Sequence, residues 1–144
     1  MVRSSTAVWR GNGLEGKGAL SMQSGAMTNQ PYSYHTRFVS EDGLAGTNPE
    51  ELLGASHAGC FTMALAFGLT AAGHPPEELK TTAAVDLGKV DGANTIRGIT
   101  LTTQARVSGL DAAEFQTIAE AAKKGCPISR ALAATPITLV ATLV

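Results

Sequence analysis

The chain carries two cysteines, Cys60 and Cys126, and what surrounds them decides the chemistry they can do. A thiol acts as nucleophile or metal ligand only as its thiolate, so its neighbours separate reactivity from inert packing. Cys60 sits in the apolar run HAGCFTMALAF, one helical turn after His57. At that spacing the imidazole can hydrogen-bond the sulfur or line a pocket beside it. Cys126 stands directly before a proline in KKGCPISRAL. Proline suits the first position of a helix, which puts this thiol at a helix start, where backbone N–H groups and the helix dipole favour a thiolate. The two cysteines match no CxxC redox motif and lack the Cys/His spacing of a structural zinc site. Residue chemistry alone leaves several readings open. The thiols can be inert core residues or redox-active, or they can hold a metal with His57 and a carboxylate. A Cys60–His57 hydrolase is also conceivable, though it lacks an orienting residue and an oxyanion hole.

The elements that must position these residues follow from hydrophobic period and turn chemistry. Ser4–Arg10 and Leu14–Met22 read as strands around the hairpin signal Gly11-Asn12-Gly13. Tyr32–Val39 alternates Tyr32, Tyr34, Thr36 and Phe38 with Ser33, His35 and Arg37, which predicts a third strand with Arg37 and His35 on one face. The period then changes. Asn48 as N-cap, Pro49 at the first helical position and Glu51 closing a capping-box pattern predict a helix running to a stop at Gly73 and Pro75-Pro76. It is small and apolar nearly all round, so it belongs at the centre of the structure with another helix close by, the symmetric copy from a second subunit being the natural partner. Lys80–Val90 and Thr95–Val107 read as strands. Asp111–Lys124 reads as a helix, Pro127 opens a short one, and Ile137–Val144 is a last strand. The order β-β-β-α-β-β-α-α-β predicts an α+β fold, and 144 residues fit one domain, 1–144.

Composition narrows the classes of function. Formal net charge is −1 with no basic run, which points away from nucleic acid and anionic membranes. Charged residues are only 16% of the chain, leaving room for a large subunit interface. The amino-terminal MVRSSTAVW has no apolar core of a secretory signal, and the longest apolar stretch, Phe61–Ala72, is shorter than a bilayer span. A cytosolic protein is expected, and there disulfides do not persist as staples. No dinucleotide fingerprint is present, since GNGLEG sits in a hairpin signal.

TNPEELLGASHAGCF followed by the distant KKGCPISRAL, with PYSYHTRF and AVWRGNGLEGKG upstream, resembles the OsmC/Ohr family of organic hydroperoxide reductases, its OsmC branch in particular. The resemblance spans essentially the whole chain. It implies an OsmC-like fold of antiparallel sheets around two central helices, in an interlocked homodimer with two interfacial active sites. It implies an organic hydroperoxide as substrate, a small or lipoyl-type dithiol as reductant, and no metal or organic cofactor. Cys60 is then the peroxidatic thiol and Cys126 the resolving thiol, with Arg37 and Glu50 orienting and activating Cys60. His57 falls where the Ohr branch carries no histidine, which points to a role that is not indispensable.

These residue types suit the reaction. A thiolate attacks the terminal peroxide oxygen; a guanidinium beside the sulfur stabilises the thiolate and the departing alkoxide, and a carboxylate fixes the guanidinium. Glu50 and Cys60 lie ten residues apart on one expected helix, about 15 Å along its axis. An unbroken helix cannot bring its own Glu50 to its own Cys60, whereas an antiparallel copy crossing near Ala55 can bring the partner's. His57, Phe61, Leu53, Ile128 and Met27 are candidates for a greasy entrance favouring alkyl hydroperoxides. The competing readings are a stress-associated dimer that holds an apolar ligand without turnover, and a Cys/His metal site.

Overall fold

In the computed structural model, which describes residues 1–41 and 43–144, the chain's contacts gather into two units, Met1–Leu52 and Leu53–Val144. The architecture is α+β.

The first unit opens with strands β1 (Ser5–Arg10), β2 (Lys17–Met22) and β3 (Gln30–Ser33), an antiparallel sheet in that order. The expected hairpin forms, with Gly11 at φ +95° taking the turn. Gly18 lies opposite both Trp9 and Tyr32, whose rings meet at a centroid distance of 5.4 Å. A Cβ at position 18 would stand 2.3 Å from the Tyr32 ring, so the aromatic pair closes only over a glycine.

The expected strand over Tyr32–Val39 is a correction. β3 ends at Ser33, and Tyr34–Phe38 is a short helix, α1. A capping box ends the strand: the Thr36 amide donates to Ser33 Oγ and the Ser33 amide donates to Thr36 Oγ1. Tyr34 and Phe38 then stack one turn apart, ring centroids 5.1 Å apart. The aromatic alternation that suggested a strand is satisfied equally by this i, i+4 pair, and Arg37 no longer shares a face with His35.

Helix α2 runs unbroken from Pro49 to Ala71. Asn48 caps it as expected, its side chain accepting from the Glu51 amide at 2.8 Å. Glu51 does not close the box; its carboxylate accepts from Thr47 Oγ1 instead. At the far end Gly73 has φ +88° and the His74 amide reaches back to the Leu69 carbonyl, a Schellman-type stop. With 23 residues α2 has the length and apolarity of a membrane span, longer than the apolar stretch read from sequence. One row of it, Gly54, His57, Phe61, Leu65 and Leu69, is nevertheless core of the second unit.

That core is completed by a sheet and two helices. β4 (Glu78–Val90) pairs antiparallel with β5 (Ala93–Arg106), and β6 (Ile137–Leu143) joins β5 in parallel. A parallel neighbour needs a crossover, supplied by α3 (Ala112–Gly125) and α4 (Pro127–Ala131). Asp111 caps α3, accepting from the Ala113 and Glu114 amides. Leu101 and Ala105 of β5 pack with Phe61, Leu65 and Leu69 of α2, with Phe115, Ala119 and Ala122 of α3, and with Cys126. The buried Thr103 hydroxyl is satisfied by Thr81 Oγ1 at 2.9 Å. Gly54 lets α2 approach the sheet: a Cβ there would stand 3.0 Å from the Ala83 carbonyl oxygen.

Phe61 is fully buried in this cluster. Phe61→Ala is therefore expected to lower unfolding free energy by about 3–5 kcal/mol in urea titrations, the scale of a core aromatic truncation. A loss below about 1 kcal/mol would place the ring at an open wall instead.

Candidate active site

The second unit brings Cys60 and Cys126 together although 66 residues separate them, with sulfurs 2.7 Å apart. Both are free thiols. α2 presents Cys60 at the margin of the core, half-buried, and Cys126 is wholly buried. Cys126 serves at once as C-cap of α3 and N-cap of α4. Pro127 forces that junction, since it cannot continue α3 but fits the first position of α4. Cys126 therefore stands at the opening of α4, though its side chain makes no capping hydrogen bond there.

The two thiols live in different electrostatic surroundings. Burial pushes the Cys60 thiol up, and its hydrogen bond with Cys126 pushes it further; one backbone contact, with Ile128, opposes them. Burial acts to raise Cys126 too, but there it is outweighed. Its contact with Cys60 first, and then the polar groups of Ser129 and Ile128 nearby, hold the Cys126 thiol below its ordinary range. The proton between the two sulfurs can sit on either of them.

His57, one turn before Cys60, is fully buried, and its Nε2 lies 2.8 Å from Ser129 Oγ. Its Nδ1 has no hydrogen-bond partner. His57 thus touches the serine beside Cys126 rather than an open pocket. Sequence reasoning missed Ser129. The available signal was its place three residues after Cys126, in the first turn of a proline-started helix, where a hydroxyl can turn back to the capping residue.

Arg37 and Glu50 meet in the first unit. Arg37 Nη2 donates to Glu50 Oε1 at 2.7 Å, and Nε is 3.2 Å from both carboxylate oxygens. The Glu50 side chain is 11% exposed and that of Arg37 35%. The Arg37 guanidinium also lies over the Phe38 ring, 4.8 Å from its centroid. Around it Trp9, Tyr32, Tyr34 and Phe38 line a cleft of about 140 Å³.

The remaining candidates fall in both units. Ile128 is partly buried against the core. Leu53 is half-buried on α2. Met27 is half-buried in the β2–β3 turn of the first unit, its carbonyl accepting from Met22. Among the described residues no three His, Cys, Asp or Glu side chains cluster as a metal site would require.

Residues 40–140 match the family described as OsmC-like protein. The chain is 46% identical over 132 residues to the peroxiredoxin OsmC of Escherichia coli, covering 92% of this chain and 90% of that one. It is 36% identical over 87 residues to an organic hydroperoxide resistance protein of Xanthomonas axonopodis, covering 60% of this chain and 59% of that one. The crystal structure of OhrB of Bacillus subtilis superposes with a TM-score of 0.75 at 25% identity, over 96% of this chain and 98% of that one. The chain belongs to the OsmC family.

Burial holds His57 below the usual imidazole pKa, so the unfolded chain takes up a proton that the folded chain refuses. Its contribution to stability is complete above about pH 6.5 and is lost as pH falls through that value. The urea midpoint of the wild type should drop on acidification from pH 7, and His57→Gln should flatten that drop. An unchanged slope in the variant would show that His57 titrates normally.

Proposed function

We propose that the chain reduces organic hydroperoxides to alcohols through a Cys60 sulfenic acid and a Cys60–Cys126 disulfide, which a dithiol returns to two thiols. Its membership in a family of peroxiredoxins and hydroperoxide resistance proteins makes it a peroxidase. The observation that carries the mechanism is the 2.7 Å approach of two free sulfurs at the edge of a packed core.

The steps balance as follows. The Cys60 thiolate attacks the terminal oxygen of R–O–OH, the O–O bond breaks, and RO⁻ leaves and takes a proton to become the alcohol. Cys60 is now the sulfenic acid Cys60–SOH. Cys126 attacks the Cys60 sulfur, an S–S bond forms, the S–O bond breaks and water leaves. A dithiol then reduces the disulfide by exchange. Contact of the sulfurs before oxidation shortens the life of the sulfenic acid, which otherwise oxidises further.

The first step needs a cation, because the surroundings of Cys60 in its own unit favour the neutral thiol. Arg37 is the proposed source. Its fork with Glu50 fixes the guanidinium plane, so one chain supplies both residues together. Because α2 is unbroken, Glu50 and Cys60 of one chain stand about 15 Å apart along it. We assign the pair to the partner subunit of a homodimer. The α2 face carrying Ala55, Gly59, Met63 and Phe67 supports this: it is exposed, apolar and repeats every fourth residue, with Met63 63% and Phe67 71% exposed. Small residues at its start allow close helix approach near Ala55. The aromatic cleft beside Arg37 favours an alkyl or aryl tail over hydrogen peroxide. A cytosolic location fits two thiols that must be reduced to act.

Cumene or tert-butyl hydroperoxide consumption with dithiothreitol or lipoamide tests the chemistry. Cys60→Ser should abolish turnover. Cys126→Ser should oxidise once and, without added thiol, stall as a trappable sulfenic acid. Retention of the hydroperoxide without turnover would overturn the proposal. Co-expression of Cys60→Ser with Glu50→Gln tests the composite site. Mixed dimers then regain one intact site, and activity should return to about a quarter of wild type. No recovery above the parent variants would place Glu50 beside Cys60 of its own chain.

A further inference from the structure

The cleft beside Arg37 defines an organic tail more narrowly than apolar character alone would. Four rings, those of Trp9, Tyr32, Tyr34 and Phe38, line its volume of about 140 Å³ together with the Arg37 guanidinium. An apolar protein cavity of about 150 Å³ takes up one benzene molecule. The rings stand as two tilted pairs. Trp9 and Tyr32 meet at 5.4 Å with 55° between their planes, and Tyr34 and Phe38 at 5.1 Å with 46°. The first pair closes over Gly18, and the Trp9 indole N–H donates to the Asn12 carbonyl at 3.1 Å, which fixes the plane of the ring. The guanidinium lies over Phe38, 4.8 Å from the ring centroid, while Glu50 holds its Nε and Nη2. Both the walls and the charged group are thus in place without a ligand. Two larger hollows of the same unit, about 510 and 250 Å³, do not include Arg37.

We propose that this cleft seats one aryl ring, so that among organic hydroperoxides the protein selects benzylic ones, with the ring against Trp9 and Tyr32 and the hydroperoxide at Arg37. One carbon separates ring from hydroperoxide in such a molecule. A ring in the cleft therefore keeps the peroxide beside the guanidinium that lines it. Tilted walls present ring faces and ring edges together, and an aryl ring meets them edge to face. A saturated group of the same size gains only from the area it removes from water. The preference in turnover rests on the peroxidase reading and on Arg37 as its cation; the seat for the ring does not.

Two measurements on the full-length protein test it. The first needs no peroxide. Trp9 is the one tryptophan of the chain, so its fluorescence reports the cleft directly. Titration of the wild type with 2-phenyl-2-propanol, the unreactive alcohol of cumene hydroperoxide, should give a saturable change in emission. 2-Cyclohexyl-2-propanol, with the same skeleton and no aromatic ring, should bind about fivefold more weakly, the scale of one aromatic contact. No saturable change, or equal binding of the two alcohols, overturns the seat. The second measurement compares cumene with tert-butyl hydroperoxide, which differ by a phenyl in place of one methyl on the same tertiary carbon. The ratio of their kcat/KM values should fall by about tenfold in Tyr32→Leu, the scale of losing two aromatic contacts, and stay near wild type in Tyr32→Phe, which keeps the ring. An unchanged ratio in Tyr32→Leu overturns the selection and leaves the peroxidase reading standing. Saturable, aryl-selective binding in a protein that turns over neither hydroperoxide upholds the seat and overturns the peroxidase reading instead.

Discussion

Two sulfurs held at contact distance are the constraint around which the second unit is organised. They are brought together by a central helix and by a helix–helix junction that a proline creates, both anchored in one core. Neither cysteine can be treated as a local feature. Cys60 depends on the row Phe61, Leu65 and Leu69 that seats α2 on the sheet, and Cys126 on Phe115 and Ala119, which seat α3. Packing energy of many residues thus determines a sulfur–sulfur distance, and that distance determines whether a disulfide can close without rebuilding the fold.

Electrostatics divides the labour between the thiols. Cys126 is lowered within its own unit, by Cys60 first and then by the polar groups of Ser129 and Ile128. Cys60 is raised by burial and has only one opposing backbone contact. On the proposed mechanism Cys60 so placed needs a cation, and the guanidinium proposed for it, Arg37 gripped by Glu50, belongs to the other unit of the chain. In the proposed dimer, assembly of the site from two subunits would switch the sulfur on only where the apolar face of α2 is covered as well.

The fold and the site were unequally legible in the sequence. Helix α2, its Asn48 cap and its Gly73 stop could be read because each rests on local chemistry that tertiary context rarely overrides. The α3 cap at Asp111 and the α4 start at Pro127 were legible for the same reason. Tyr32–Val39 misled because aromatic residues at alternate positions satisfy both a strand face and an i, i+4 helix pair, and the Ser33–Thr36 box that decides between them is a weak signal among many serines and threonines. The meeting of Cys60 and Cys126 follows no period, since it is made by two elements distant in sequence; only the family resemblance suggested it. The pairing of Ser129 with His57 was not legible because it joins two helices far apart in sequence.

The most direct test is to treat the reduced protein with an equimolar amount of tert-butyl hydroperoxide, alkylate the remaining thiols and map the peptides by mass spectrometry. The expected result is a Cys60–Cys126 linked peptide formed in step with alcohol release, with both thiols recovered after dithiothreitol. Alkylation of both cysteines as free thiols, with the hydroperoxide unconsumed, would contradict the account.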